Sequence, residues 1–517
     1  MRSSTFLRSS ASLWILLFFT GGIFLPIGAL LELILKEPAK TVGRLALFDP
    51  QILSVVTFTL KQALLSTFVS VLLGLPLGWI CARSASPRMQ SLLQILLALP
   101  YGIPTVVVAM TVTAWLGNSG LLASLGWGYS LKAVILAHVL LNAPWIALGI
   151  CQAKVQIPRA QIEASETLGA NFWQRFRWIE WPHLQWSLFS SSVQVFSLCV
   201  MSFALVLILG GGPPVETLET EIYSRIRLGS LDLRGAAACA FWQLLLTLIP
   251  WVTLHWFSRR AKILEKATPC FDPRRRTFSW VPALLASMFL LPYVTLYRFA
   301  ALQLWSTSEF FNEISGPLAV SLKLAGAVAV VTLLTALSAL ISRPSLKGAD
   351  LLFTLPAGIS ILVLGLGFWL AYGRWLDPFE GSFTAMLALQ VTTTFPLAYR
   401  SLWALSQGTQ TPALEAARTL GATPVQAFMT VEWPRWRGPI LRVAAVAAGV
   451  SLGEVAAVSL FYSENLVPIP LLISRWMGQY RFQEAQALAV FLLIACTALT
   501  AAVATSGTFL RRQDRLS

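Results

Sequence analysis

Apolar residues along this chain neither alternate nor return every third or fourth position. They run on in long blocks separated by short polar breaks. A helix needs about 20 mostly apolar residues to cross a hydrocarbon core of about 30 Å. On that template the sequence predicts spans near 12–35, 60–82, 92–116, 131–150, 190–212 and 236–257, then near 279–303, 318–341, 350–372, 383–403, 440–462 and 485–506. The expected fold class is all-α integral membrane, with about 12 transmembrane helices in two tandem sets of six.

Composition sharpens this. Of 517 residues, 56% are hydrophobic and only 12% charged, with mean hydropathy +0.69. A soluble surface needs roughly 25% charged residues, so the missing charge implies a surface facing lipid. Twenty Trp residues suit the membrane–water interface. The first block follows Arg2 and Arg8, as in a signal peptide. It is longer than a usual signal core and lacks a clear small-residue cleavage site, so it reads as a retained span.

A net charge of +15 raises nucleic acid as a partner, but the cations lie between apolar blocks rather than on one face, so they read as topology signals. Twenty-five of the 38 Lys and Arg residues fall on the side that holds both termini, which places both termini in the cytoplasm. The most basic loop, 258–278, reads as a cytoplasmic linker between a first half, 1–257, and a second half, 279–517. Six scattered cysteines with no CxxC pair predict ordinary packing and no metal.

Sliding the chain on itself by 252 residues exposes a repeat. EASETLGANFWQRFRWIEWP (Glu163–Pro182) aligns without gaps to EAARTLGATPVQAFMTVEWP (Glu415–Pro434), with eleven of 20 positions identical. Pro144 and Pro396, Leu99-Pro100 and Leu355-Pro356, and Ser224-Arg225 and Ser474-Arg475 recur at nearly the same offset. Two six-span halves in the same orientation follow. The repeated segment predicts two short helices meeting at a turn, with Gly169 or Gly421 ending the first and Asn171 or Thr423 capping the second. Pro182 and Pro434 are expected to stop that second helix. A compact knob results, present twice.

The run Glu163-Ala164-Ser165, then Gly169, then Pro182, with its second copy Glu415-Ala416-Ala417, Gly421 and Pro434, resembles the EAA loop of binding-protein-dependent ABC importer permeases. The resemblance covers essentially the whole chain and implies the type I importer (MetI-like) fold. It implies that Glu163, Ala164, Gly169, Glu415, Ala416 and Gly421 form coupling helices seated in grooves of two copies of a cytoplasmic ABC ATPase. Ser165 departs mildly from the usual alanine, and Arg418 opposite Glu166 implies that the knobs are not interchangeable. Fusion of both halves in one chain resembles the ferric-iron and thiamine branch. SFALVLILGGGPPVETLETEIYSRI (Ser202–Ile226) and SLGEVAAVSLF (Ser451–Phe461) are similar to thiamine permeases. That implies thiamine or its phosphates as substrate, a periplasmic solute-binding protein as a further partner, and a bacterial inner membrane location, with a ferric-iron or other small-solute permease as the alternative.

No GxxxxGK[ST] loop occurs, so ATP and magnesium are expected on the partner ATPase and no cofactor on this chain. No residue cluster reads as catalytic. Few ionisable residues fall inside spans. Glu454, near the middle of the eleventh expected span, either faces the solute pathway or makes a structural hydrogen bond, since an unpartnered carboxylate there is costly. His138 and Asn142, four apart on one face, carry the same two alternatives, as do Gln390 and Thr392–Thr394. An ion-coupled secondary transporter also fits twelve spans, but it predicts several intramembrane charges and gives no reason for duplicated knobs. A membrane-embedded transferase needs a large acidic loop that is absent here.

Overall fold

The computed structural model describes residues 2–36, 46–82, 87–229, 231–261, 280–300, 302–342, 349–375, 380–406 and 412–513. These residues are helical or irregular, with no strand ladder among them. Most of the basic linker, residues 262–278, lies outside the described residues, as does Cys270. The other five cysteines are buried, and none forms a disulfide among the described residues.

Six single helices are long and apolar enough to cross a membrane: Ser9–Leu35, Pro50–Cys81, Leu131–Val155, Leu233–Trp256, Ser308–Ser342 and Phe482–Leu499. Three more expected spans are bent pairs. Met89–Gly102 meets Thr105–Leu116 at 91°, Val281–Ser287 meets Leu291–Arg298 at 49°, and Ala349–Gly358 meets Ile361–Tyr372 at 97°. Each near-right-angle bend follows a recurring Leu-Pro pair, which opens a 3-10 turn (Leu99–Gly102 or Leu355–Gly358) that ends at an extended isoleucine, Ile103 or Ile359, where the chain turns. The last three expected spans fall on Trp181–Val200, Phe383–Ser406 and Trp433–Gly453. These are long enough to cross, but they carry runs of Ser, Thr, Gln and Arg that make them less apolar. Polar helices at membrane depth need protein or water beside them.

The chain forms two compact units. One comprises Val42–Leu302 with Arg481–Val490. Its backbone helix, Pro50–Cys81, starts where Asp49 accepts a hydrogen bond from the Gln51 amide at 2.9 Å and Pro50 takes the first helical position. Its inward stripe is small or polar, including Thr59, Ala63, Ser66, Ser70 and Gly74, while Leu64, Leu65, Phe68, Leu72 and Leu73 face outward. A soluble helix would reverse this pattern; in lipid, small residues let backbones approach. A Cβ on Gly74 would sit 2.6 Å from the Ala143 carbonyl of the Leu131–Val155 helix, so that contact requires glycine. The core continues through Ile146, Ile150, Leu184, Val195 and Cys199. A second cluster joins Leu77, Cys81, Leu93, Leu97 and Cys151 to Ala283 and Ala286.

The other unit comprises Met1–Thr41, Gln303–Tyr480 and Phe491–Ser517. In its first span Ala11, Ile15, Phe19, Ile23 and Leu30 are buried, one stripe that persists through a π-helical turn at Thr20–Phe24. Trp14 Nε1 donates to Thr335 Oγ1 at 3.2 Å, and Tyr372 donates its hydroxyl proton to the Gly21 carbonyl at 2.8 Å. Phe19 packs on Phe353 and Phe395. The compact units differ from the expected halves 1–257 and 279–517: residues 2–36 group with the second half's helices, and 281–299 and 481–490 with the first half's. Apolar length marks a span but does not say which bundle its buried stripe matches.

Candidate functional site

The first knob begins with the helix Arg159–Thr167. Thr167 Oγ1 bonds back to the carbonyls of Glu163, at 3.1 Å, and Ala164, at 2.9 Å. Gly169 then takes φ +70, a left-handed geometry open to glycine at little cost. Its amide donates to the Glu166 carbonyl at 3.0 Å and the Ala170 amide to the Ser165 carbonyl at 2.9 Å, the paired bonds of a Schellman stop. The Ser165 hydroxyl donates to the Ile162 carbonyl at 2.6 Å, so the departure from alanine is absorbed inside the helix. Asn171 and Gln174 exchange side-chain and backbone hydrogen bonds, each 2.9 Å, in a capping box.

The second knob repeats this almost bond for bond. Its helix is Pro412–Thr419, with Thr419 Oγ1 at 3.1 Å from the Glu415 carbonyl and 2.8 Å from that of Ala416. Gly421 has φ +83, and the Ala422 amide donates to the Ala417 carbonyl at 3.0 Å. Thr423 and Gln426 form the matching cap at 2.9 and 3.3 Å. Glu163, Ala164, Gly169, Glu415, Ala416 and Gly421 are all exposed. At each turn a leucine, Leu168 or Leu420, stands 86% exposed.

Pro182 and Pro434 do not stop the second helix as expected. The chain stays helical through both, because a π-helical turn precedes each: Phe176–Glu180 before Trp181–Val200, and Phe428–Glu432 before Trp433–Gly453. Proline lacks an amide proton and collides with the carbonyl four residues back. The extra residue in the π turn re-spaces those carbonyls and removes the conflict.

What holds the first knob to the unit is Glu180, which is 5% exposed. Its Oε2 accepts from Lys154 Nζ at 2.5 Å and from Trp79 Nε1 at 2.9 Å. Its Oε1 lies 3.7 Å from Arg175 Nε, and Arg175 Nη1 reaches Glu166 Oε1 at 3.1 Å. The Lys154 ammonium also sits 4.5 Å over the Trp79 ring. Burial alone would raise the Glu180 carboxyl, but the hydrogen bonds from Lys154 and Trp79, with the charges of Lys154 and Arg175, outweigh it and hold the group below its ordinary range. Sequence reasoning passed over Glu180. The signal was present in its recurrence as Glu432.

Each polar residue of the expected pathway has a hydrogen-bond partner within its own unit. His138 Nδ1 lies 2.9 Å from Gln62 Nε2 and 3.0 Å from Ser66 Oγ, while Asn142 Nδ2 donates to Cys199 Sγ at 3.4 Å. One face of Leu131–Val155 thus engages two neighbours. In the other unit Gln390 Oε1 accepts from Ser451 Oγ, and Thr332 bonds Thr394 at 2.8 Å. Glu454 is not mid-helix. The Trp433–Gly453 helix ends before it, and Glu454 Oε1 accepts the Ala456 amide at 2.8 Å, capping Ala456–Leu460. A helix N-terminus offers free amides and a positive dipole end to a carboxylate. Also missed was a buried pair, Glu219 with Gln243. Among the described residues no His, Cys, Asp and Glu group has metal-binding geometry.

Residues 74–263 match the family described as binding-protein-dependent transport system inner membrane component. The chain is 29% identical over 496 residues to the thiamine transport system permease protein ThiP of Brucella abortus (strain 2308), covering 91% of each. To the ThiP protein of Haemophilus influenzae it is 28% identical over 486 residues, covering 88% of this chain and 89% of the relative. To that of Escherichia coli K12 it is 27% identical over 480 residues, covering 87% and 88%.

Proposed function

We propose, on the premise that the chain is a fused permease of the binding-protein-dependent importer family and a multi-pass inner membrane protein, that it moves thiamine or its phosphates into the cytoplasm by alternating access. The energy comes from ATP hydrolysed, with magnesium, on two copies of a separate ABC ATPase. A periplasmic solute-binding protein delivers the substrate. In this reading Glu163, Ala164, Gly169, Glu415, Ala416 and Gly421 form the surface that the ATPase grips, on a side that also holds both termini. The observation that carries the reading is the pair of knobs, each stopped by a left-handed glycine and each offering a leucine 86% exposed beside it. Two matching exposed apolar tips fit two matching grooves on a partner. An ion-coupled transporter would leave both tips without a purpose.

Similarity over about nine-tenths of the chain to thiamine permeases supports the substrate. His138, Asn142, Gln390 and Glu454 belong to a low-affinity route in this reading, with selectivity resting on the delivering protein. The decisive experiment expresses the chain, together with an ABC ATPase and a solute-binding protein from the same organism, in a bacterium lacking thiamine uptake. Rescue of growth on limiting thiamine is expected. Rescue of ferric-iron uptake instead would reassign the substrate. Transport into sealed vesicles with no ATPase present would overturn the class.

A further inference from the structure

The family's recognised contact is the exposed EAA surface, which says how the ATPase touches a knob but not how a knob moves the helices behind it. Resting on the reading above, we infer that Glu180 is a positioning residue that ties the first knob to two membrane helices, and that the second knob, which lacks this tie, is coupled less tightly.

The geometry runs in one direction. Glu166 belongs to the knob's first helix and is bridged by Arg175 to Glu180. Glu180 closes the π turn and is held by Lys154, in the last turn of Leu131–Val155, and by Trp79, near the end of Pro50–Cys81. Trp79 also meets Phe172 edge-on at 5.8 Å, so an apolar contact backs the polar ones. Displacement of the first helix is therefore transmitted through charged contacts to the cytoplasmic ends of two spans. At the aligned positions of the second knob, Arg175 is replaced by Ala427, Lys154 by Ser406 and Glu166 by Arg418. Glu432 keeps the carboxylate, yet among the described residues no ion pair reaches it. Among the described residues the turn is found twice and the tie once.

The test uses the assembled importer in proteoliposomes, with thiamine as the solute and its binding protein outside. The readouts are ATP hydrolysed per thiamine imported and the ATPase content of the complex. Glu180→Gln and Lys154→Met are expected to keep the ATPase bound while ATP consumed per thiamine rises about tenfold, the scale of coupling changes along a contact network. Lys154→Arg, which keeps the cation, restores the ratio, and Trp79→Phe, which removes one donor only, gives a smaller rise. Glu432→Gln changes it by less than about twofold. Loss of ATPase in proportion to lost transport would reduce Glu180 to a structural role and overturn the inference, as would an equal effect at Glu432. A wild-type chain that never retains an ATPase would instead sink the functional reading.

Discussion

The knobs at 159–182 and 412–434 descend from one plan, and their turns agree to within a few tenths of an ångström in equivalent hydrogen bonds: 3.1 and 3.1 Å from threonine to the glutamate carbonyl, 2.9 and 2.8 Å to the next. Their attachments do not agree. The first rests on a buried carboxylate with two cations and an indole around it; the second has alanine and serine where those cations stand. The turn is dictated by residues within about ten positions of one another, so a duplicated sequence reproduces it. The attachment depends on side chains contributed from distant helices, and each of those can drift separately. A motif shared by two regions therefore does not guarantee a shared mechanical role.

The largest expected effect falls on what the knobs share. Gly169→Asp and Gly421→Asp each force a side chain into a left-handed backbone and place a charge on the apolar tip proposed to dock the ATPase. Burying an unpaired charge at an interface costs about 2–5 kcal/mol, enough to lower ATPase affinity by about 30-fold to a few thousand-fold. Affinity capture of the purified chain would be expected to lose the ATPase in both variants while membrane insertion persists. Retention of the ATPase and of transport in either would show that its knob is not a docking element.

Next comes what they do not share. Glu180→Ala strands Lys154, whose side chain is 12% exposed. Removing one partner of a buried pair costs about 3–5 kcal/mol, so hydrogen exchange of segment 172–182 should accelerate by two orders of magnitude or more. Glu432→Ala should stay within about 0.5 kcal/mol, as surface changes do. Equal acceleration in both segments would erase the proposed difference between the knobs.

Much of this was legible beforehand. Nine of the twelve apolar blocks coincide with single or bent candidate spans, because lipid demands apolar length whatever the neighbours are. The Gly169 and Gly421 turns and their caps were legible because such signals are local. Three kinds of feature were not. Pro182 and Pro434 sit inside continuous helices because π turns re-space the backbone, and no residue type announces a π turn. Glu454 reads as mid-span by hydropathy but stands at a break, since the Ala-rich stretch around it is equally apolar on both sides. The exchange of first spans between units and the environment of Glu180 depend on which faces meet, and that is set by partners hundreds of positions or about a hundred positions away.

A smaller effect probes the turns again. Asn171→Ala and Thr423→Ala each remove a helix cap worth about 1 kcal/mol. The Asn171 bond is the shorter, 2.9 Å against 3.3 Å for Thr423, so Asn171→Ala should open its knob somewhat more, seen as faster exchange of the amides at 173–175 than at 425–427. The reverse order would mean that the attachment, and not the cap, governs local opening.

The smallest expected effect is the pH dependence of the first knob's attachment, and its sign follows from Glu180. The carboxyl is held below its ordinary value of 4.5 in the folded chain. A group depressed by folding binds protons more weakly in the native state than in the unfolded one, so its stabilisation is fully present above the ordinary value and is lost as pH falls through the depressed one. Between pH 8 and pH 5 the exchange protection of segment 172–182, corrected for the intrinsic pH dependence of exchange, should stay level. Below about pH 4.5 protonation of Glu180 releases Lys154 and Arg175, and protection should decline. In Glu180→Gln the decline should vanish, because glutamine has no proton to take up. A decline that begins above pH 5, or that persists in Glu180→Gln, would assign the pH response to another group and leave the ion cluster without its distinguishing signature.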